Sequence, residues 1–143
     1  MNVDNKIRIT FPSYSKNESL ARSVVSCFSL TLNPSVAEIN DIKTAVSEAV
    51  TNAIVHGYPD AVGDITIEAQ LIDREIHINV IDNGVGIGNL KEALEPFYTT
   101  KPEDERSGMG FTIMQSFMDK VVVESKEGSG TSVYMVKNLK TDA

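Results

Sequence analysis

Glu48-Ala-Val-Thr-Asn52 lies inside residues 34–57, the most strongly patterned stretch of the chain, and reading that stretch as a helix decides what the rest must be. Ile39, Ile42, Val46, Ala49, Val50, Ala53 and Ile54 recur at helical spacing and form one apolar side. Asn33 followed by Pro34 predicts a cap and a proline in the first turn, and Gly57, with Pro59 just beyond, predicts the end. Glu48, Asn52 and His56, four residues apart in turn, then share one polar stripe on that helix.

On either side the period changes. Ile7, Ile9 and Phe11 alternate with polar residues up to Pro12, which predicts a first strand. Ser15-Lys-Asn-Glu18 has capping-box spacing and predicts a helix to about Thr31. Ile65, Ile67, Ala69 and Leu71 alternate, as do Ile76, Ile78 and Val80, with Asp73-Arg74 as the hairpin turn. Phe111, Met114, Phe117 and Met118 give core-facing positions to a helix starting at Gly108. Val121 to Ser125 and Thr131 to Val136 predict a closing hairpin around Gly128-Ser-Gly130. Residues 83–107 have no strong period, apart from one helical turn expected over Leu90 to Leu94. A loop that long in a compact domain is usually functional. Strands and helices in this proportion predict one α+β domain over residues 1–143, a two-layer sandwich with a mixed or antiparallel sheet packed against helices.

Composition narrows the function classes. At 143 residues, 41% hydrophobic and 23% charged, the chain can bury a core without disulfide staples. Cys27 is alone, which fits a reducing compartment. No apolar run approaches a bilayer span, and the first residues lack a signal segment, so an unanchored cytoplasmic protein is expected. Twenty acidic against 13 basic residues give a net charge of −7, which disfavours direct nucleic-acid binding. The same charge makes a polyphosphate an awkward ligand unless a divalent cation and local bases help. Lys101 and Arg106 stand where that help is needed.

Three motifs carry chemistry. Asn52 offers a neutral oxygen, a hard ligand for Mg²⁺ that leaves room for waters and phosphate oxygens. Glu48, one turn earlier, can accept a proton from an attacking hydroxyl. The bland alternative is a solvated helix face, and His56 reads best as a helix-end residue meeting the dipole. Asp82 closes an apolar strand ahead of Asn83-Gly-Val-Gly-Ile-Gly88. Asn-Gly alone reads as a turn, whereas alternating Gly84, Gly86 and Gly88 suggest backbone brought close to a ligand. Asp82 can accept the exocyclic amino group of adenine and would repel the corresponding guanine carbonyl. Ser107-Gly-Met-Gly-Phe111 follows Thr99, Thr100, Lys101 and Arg106, a loop able to close over phosphates; alone it is only a glycine-rich helix start. Thr131 is either a plain hairpin residue or a second contact to the base. Together the motifs read as a site for ATP or ADP with Mg²⁺. No Walker A sequence or protein-kinase glycine loop is present.

In this order the motifs resemble the N box (Glu48 to Asn52), first glycine box (Asp82 to Gly86) and second glycine box (Gly108 to Gly110) of the GHKL ATPases, which include gyrase, histidine kinases and MutL. Ser47 to Tyr58, Thr99 to Lys101 and Arg106 to Met114 look most like the sporulation anti-sigma branch of that family. The resemblance implies a Bergerat fold, a serine kinase that holds sigma factor F, and an anti-anti-sigma factor (SpoIIAA-like) as the phosphorylated partner. It implies Glu48 as catalytic base, Asn52 as magnesium ligand and Asp82 as adenine contact. It further implies nucleotide binding through Gly84, Gly86, Thr99, Thr100, Lys101, Arg106, Ser107, Gly108, Met109, Gly110, Phe111 and Thr131. Arg22, in Asn17-Glu-Ser-Leu-Ala-Arg22, matches a partner-contacting arginine, although by itself it reads as an exposed helix charge. A homodimer is expected from the family and from the first strand as an uncovered sheet edge. Competing readings are a sigma-binding module that uses ATP without phosphotransfer, and the ATP-binding part of a sensor histidine kinase. The latter fits poorly, since the only histidines are His56 and His77. A large gyrase-like machine is not expected at this length.

Overall fold

The computed structural model describes residues 3–88 and 110–140. In chain order it holds β1 (Asn5–Pro12), α1 (Asn17–Ser29), a 3₁₀ turn (Leu30–Leu32), α2 (Val36–Asn52), a π turn (Ala53–Gly57), β2 (Asp64–Ile72), β3 (Glu75–Asp82), α3 (Gly110–Phe117), β4 (Lys120–Lys126) and β5 (Gly130–Asn138). The strands pair as β1-β2-β3-β5-β4, every pairing antiparallel among the described residues. The fold is therefore α+β with an antiparallel rather than mixed sheet.

Strand alternation makes the sheet one-sided. Ile65, Ile67, Ala69 and Leu71 of β2, Ile76, Ile78 and Val80 of β3, and Val133 and Met135 of β5 are buried. They share a core with Ala21 and Val25 of α1, Ile42, Val46, Ala49 and Val50 of α2, and Met114 of α3. Each fully buried Ile or Val contributes roughly 1.5–3 kcal/mol. The intervening strand positions, such as Thr66, Asn79 and Ser132, lie on the opposite, polar face.

The helix caps differ from expectation. α1 starts after Lys16 with no side-chain cap, and Glu18 turns to Arg22 instead of closing a box with Ser15. The capping box belongs to α2: Ser35 Oγ accepts from the Glu38 N–H at 3.1 Å, and the Ser35 N–H donates to Glu38 Oε1 at 2.9 Å. Asn33, expected as that cap, takes a left-handed φ of 52° and ends the 3₁₀ turn. Asparagine tolerates that conformation, and extended Ser35 is then free to cap. Phe117, expected in the core, is 38% exposed at the last residue of α3, while Met114 and Met118 on either side of it are buried. The helical turn expected over Leu90 to Leu94 lies outside the described residues.

Candidate functional site

α2 is regular through Asn52, so Glu48 and Asn52 do share one face. Glu48 is buried, 7% exposed, although charged residues are rarely so deep without a purpose or a partner. The Asn52 carboxamide stands against the start of α3: a methyl added at Gly110 would lie 2.8 Å from Asn52 Nδ2 and 3.2 Å from Oδ1. Nδ2 is buried with no hydrogen-bond partner among the described residues. A native structure rarely leaves such an atom without a reason. His56 falls in the π turn that follows α2 and is half-buried there.

The π turn brings Gly57 beneath the end of β3. A methyl there would lie 2.9 Å from the Asp82 carboxyl carbon and Oδ1. Asp82 pairs in register with Ile65 on one side and Thr131 on the other, and is 5% exposed. Its Oδ1 accepts the Gly84 N–H at 2.9 Å. Burial pushes the carboxyl above the usual aspartate range, and the backbone N–H groups of Gly84 and Thr131 pull it partly back. Thr131 thus meets Asp82 through its backbone, while its hydroxyl shares a 2.7 Å hydrogen bond with Ser125 Oγ.

The glycines after Asp82 approach the protein itself. A methyl at Gly84 would meet the Gly57 carbonyl oxygen at 1.9 Å, one at Gly86 the Lys126 carbonyl oxygen at 2.1 Å, and one at Gly88 the Glu127 carboxylate at 2.5 Å. Gly86 also needs its positive φ of 74°. Val85 N–H donates to the Gly57 carbonyl at 2.9 Å, Gly128 N–H to the Val85 carbonyl at 2.7 Å, and Ile87 N–H to Ser125 Oγ at 2.7 Å. The turn is clamped between the end of α2 and the β4–β5 turn.

Asp82 and Asn52 therefore flank one segment, the first at Gly57 and the second five residues earlier. Phe111, one residue into α3, packs against the core. Thr99, Thr100, Lys101, Arg106, Ser107, Gly108 and Met109 lie outside the described residues. Arg22 is elsewhere, on α1, within 3.4 Å of Glu18 one turn back. His77 is held on the polar sheet face by Tyr134 and by Glu75, away from this cleft. Tyr58 and Ser125 take part in the site's framework and carry no sequence signal beyond standing next to Gly57 and Lys126. No helix among the described residues is long and apolar enough to cross a membrane.

A family model for the histidine kinase-like ATPase domain matches residues 11–137. The anti-sigma F factor of Clostridium acetobutylicum is 53% identical over 137 residues, covering 96% of this chain and 96% of that protein. The anti-sigma F factor of Clostridium perfringens strain SM101 is 54% identical over 140 residues, covering 97% of this chain and all of its own length, 100%. Among solved structures, the RsbU and RsbW domains of Rv1364c from Mycobacterium tuberculosis match with a TM-score of 0.70 at 20% identity, over 97% of this chain and 34% of that one. The catalytic domain of the histidine kinase ThkA matches with a TM-score of 0.57 at 16% identity, over 93% of this chain and 96% of that one. At those identities the two structures share the fold alone.

Proposed function

From a chain that belongs to the histidine kinase-like ATPase family, and within it to the group of the anti-sigma F factors, we propose a protein that holds sigma factor F away from RNA polymerase and phosphorylates a serine of an anti-anti-sigma factor with ATP. The observation that supports the nucleotide half is the placement of the Asp82 carboxyl against Gly57 and of the Asn52 carboxamide, five residues earlier on the same segment, against Gly110. The sigma half rests on likeness over nearly the full length of proteins so named.

The residues fit the nucleotide and its metal. Asp82 accepts the adenine amino group, held ready by Gly84 and Thr131. Asn52 Oδ1 is the protein ligand for Mg²⁺, and the gap left by Gly110 keeps its carboxamide clear of backbone. Bound there, magnesium would neutralise charge on the terminal phosphates. Glu48, one turn back on the same face, takes the proton of the attacking serine hydroxyl. Lys101 and Arg106, with Thr99, Thr100 and Ser107 to Met109, are assigned to the phosphates by likeness. Arg22 is assigned to partner contact on the same ground. The working form is a homodimer in the cytoplasm, where a sigma factor acts; β1 offers an outer edge, since among the described residues its one pairing is with β2.

Labelled ATP and a candidate anti-anti-sigma protein test the reading. The native chain should transfer label to a serine. Glu48→Gln should keep ATP and sigma binding while phosphorylation falls ~10²–10⁴-fold, the usual contribution of general base catalysis. Asn52→Ala should lose magnesium-dependent nucleotide binding and transfer together. A native rate in Glu48→Gln means Glu48 is not the base. A native chain that binds ATP and sigma but never transfers phosphate is a binding module.

A further inference from the structure

Tyr58 belongs to none of the three motifs, yet it stands where two of them meet. Its hydroxyl accepts the backbone N–H of Asn83 at 2.7 Å and donates to the Asp64 carbonyl at 2.7 Å. Its ring lies against Gly63, where an added methyl would come within 2.2 Å of it. Its own N–H reaches the Ala53 carbonyl at 3.1 Å and closes the π turn. The side chain is thus fixed at both ends. Burial pushes the phenol above its ordinary range, so the hydroxyl keeps its proton and serves as donor and acceptor at once.

Its target is the peptide directly after Asp82. The next N–H, that of Gly84, is the one bonded to Asp82 Oδ1 at 2.9 Å. If the Asp82–Asn83 peptide turned, the Gly84 N–H would swing with it and the carboxylate would lose one of its two backbone donors. We infer that Tyr58 is a positioning residue for base selection: by holding the Asn83 N–H, it fixes the turn that aims the Asp82 carboxylate at the purine. The inference rests on Asp82 being the base acceptor.

Tyr58→Phe in the full chain keeps the ring and removes the hydroxyl. The freed groups, on Asn83 and Asp64, belong to exposed residues, so water can replace the lost partner and the melting curve should stay close to native. ATP affinity measured by calorimetry should fall about two- to tenfold, the scale of one hydrogen bond. GTP affinity measured by competition should not move, because GTP gains nothing from the carboxylate, and the ATP-to-GTP ratio should drop by that same factor. An unchanged ratio overturns the inference, and so does an equal loss for both nucleotides, which marks a purely structural residue. On the native chain, amide exchange at Asn83 should be slow despite its exposure; exchange at the rate of a free peptide also overturns it. A native chain that fails to prefer ATP removes the Asp82 reading itself, a separate result from native preference retained in Tyr58→Phe.

Discussion

Gly57→Ala should separate the nucleotide site from the fold. Gly57 is not among the glycines with positive φ, which are Gly86, Gly128 and Gly130 among the described residues, so its backbone admits any side chain. What it lacks is room. The new methyl would lie 2.9 Å from the Asp82 carboxyl carbon and Oδ1 and 3.1 Å from Oδ2, against about 3.4 Å for ordinary contact. The carboxylate must therefore retreat by about half an ångström. The Gly84 N–H bond, 2.9 Å now, would stretch to about 3.4 Å, outside the normal range. Stability changes little, because replacing glycine in a helical turn gains up to ~1 kcal/mol while overpacking costs ~1–3 kcal/mol. Binding changes more. A hydrogen bond to a charged group is worth ~1.5–3 kcal/mol, so ATP affinity should fall roughly 10- to 150-fold. Calorimetric titration with ATP beside urea unfolding reads both numbers on one preparation. A folded Gly57→Ala chain that binds ATP as the native does would refute the reasoning, since the carboxylate could not then be the base contact.

The raised Asp82 carboxyl carries a sign. The folded chain binds that proton more tightly than the unfolded chain, so its stabilising effect is present in acid and is lost as pH rises through the raised value. Asp82→Asn should therefore gain melting temperature relative to native as pH climbs across that window, and native ATP affinity should weaken on the way down. Parallel melting curves at every pH would contradict this. The same variant should lose its preference for adenine, since the new amide can donate to the guanine carbonyl. Arg22→Ala removes a half-buried pair with Glu18 one turn back, of a kind worth ~0.3–0.5 kcal/mol on helices, so stability and ATP affinity should hold while partner binding weakens. Loss of ATP affinity with partner binding would make the residue structural. Light scattering on that variant and on the native chain should give twice the 15.6 kDa monomer mass, and a monomer would contradict the edge-strand argument.

Much of the fold was legible because the signals were periodic. Period two in β2 and β3 and period 3.6 in α2 follow from which side of each element meets the core. The caps were not legible, because Ser15…Glu18 and Ser35…Glu38 have identical spacing and only one closes a box. At the first, Glu18 has Arg22 one turn on and takes it. At the second, left-handed Asn33 sets up the extended Ser35. Local pattern lists both options, and tertiary surroundings choose. The candidate site was legible as three motifs. Its framework was not: Tyr58 reaches the backbone of Asn83, 25 positions ahead, and Ser125 that of Ile87, 38 positions back, contacts that leave no periodic trace.

The glycines show most clearly what sequence leaves open. Gly57 and Gly84 both look like turn residues near a ligand, yet they face different neighbours. The space denied to a methyl at Gly57 is held by the Asp82 side chain, which can move. The space denied at Gly84 is held by the Gly57 carbonyl at 1.9 Å, with its carbon at 2.4 Å, and this backbone also accepts the Val85 N–H. No rotamer relieves that contact. Gly84→Ala must push the turn off the end of α2, breaking the Val85 bond and pulling on the Gly128 and Ser125 bonds beyond it. It should therefore cost stability at the upper end of overpacking, about 3 kcal/mol, and lose nucleotide binding with it. Gly57→Ala loses binding alone. If urea unfolding gave the two variants the same stability, the turn would not be clamped against the Gly57 carbonyl.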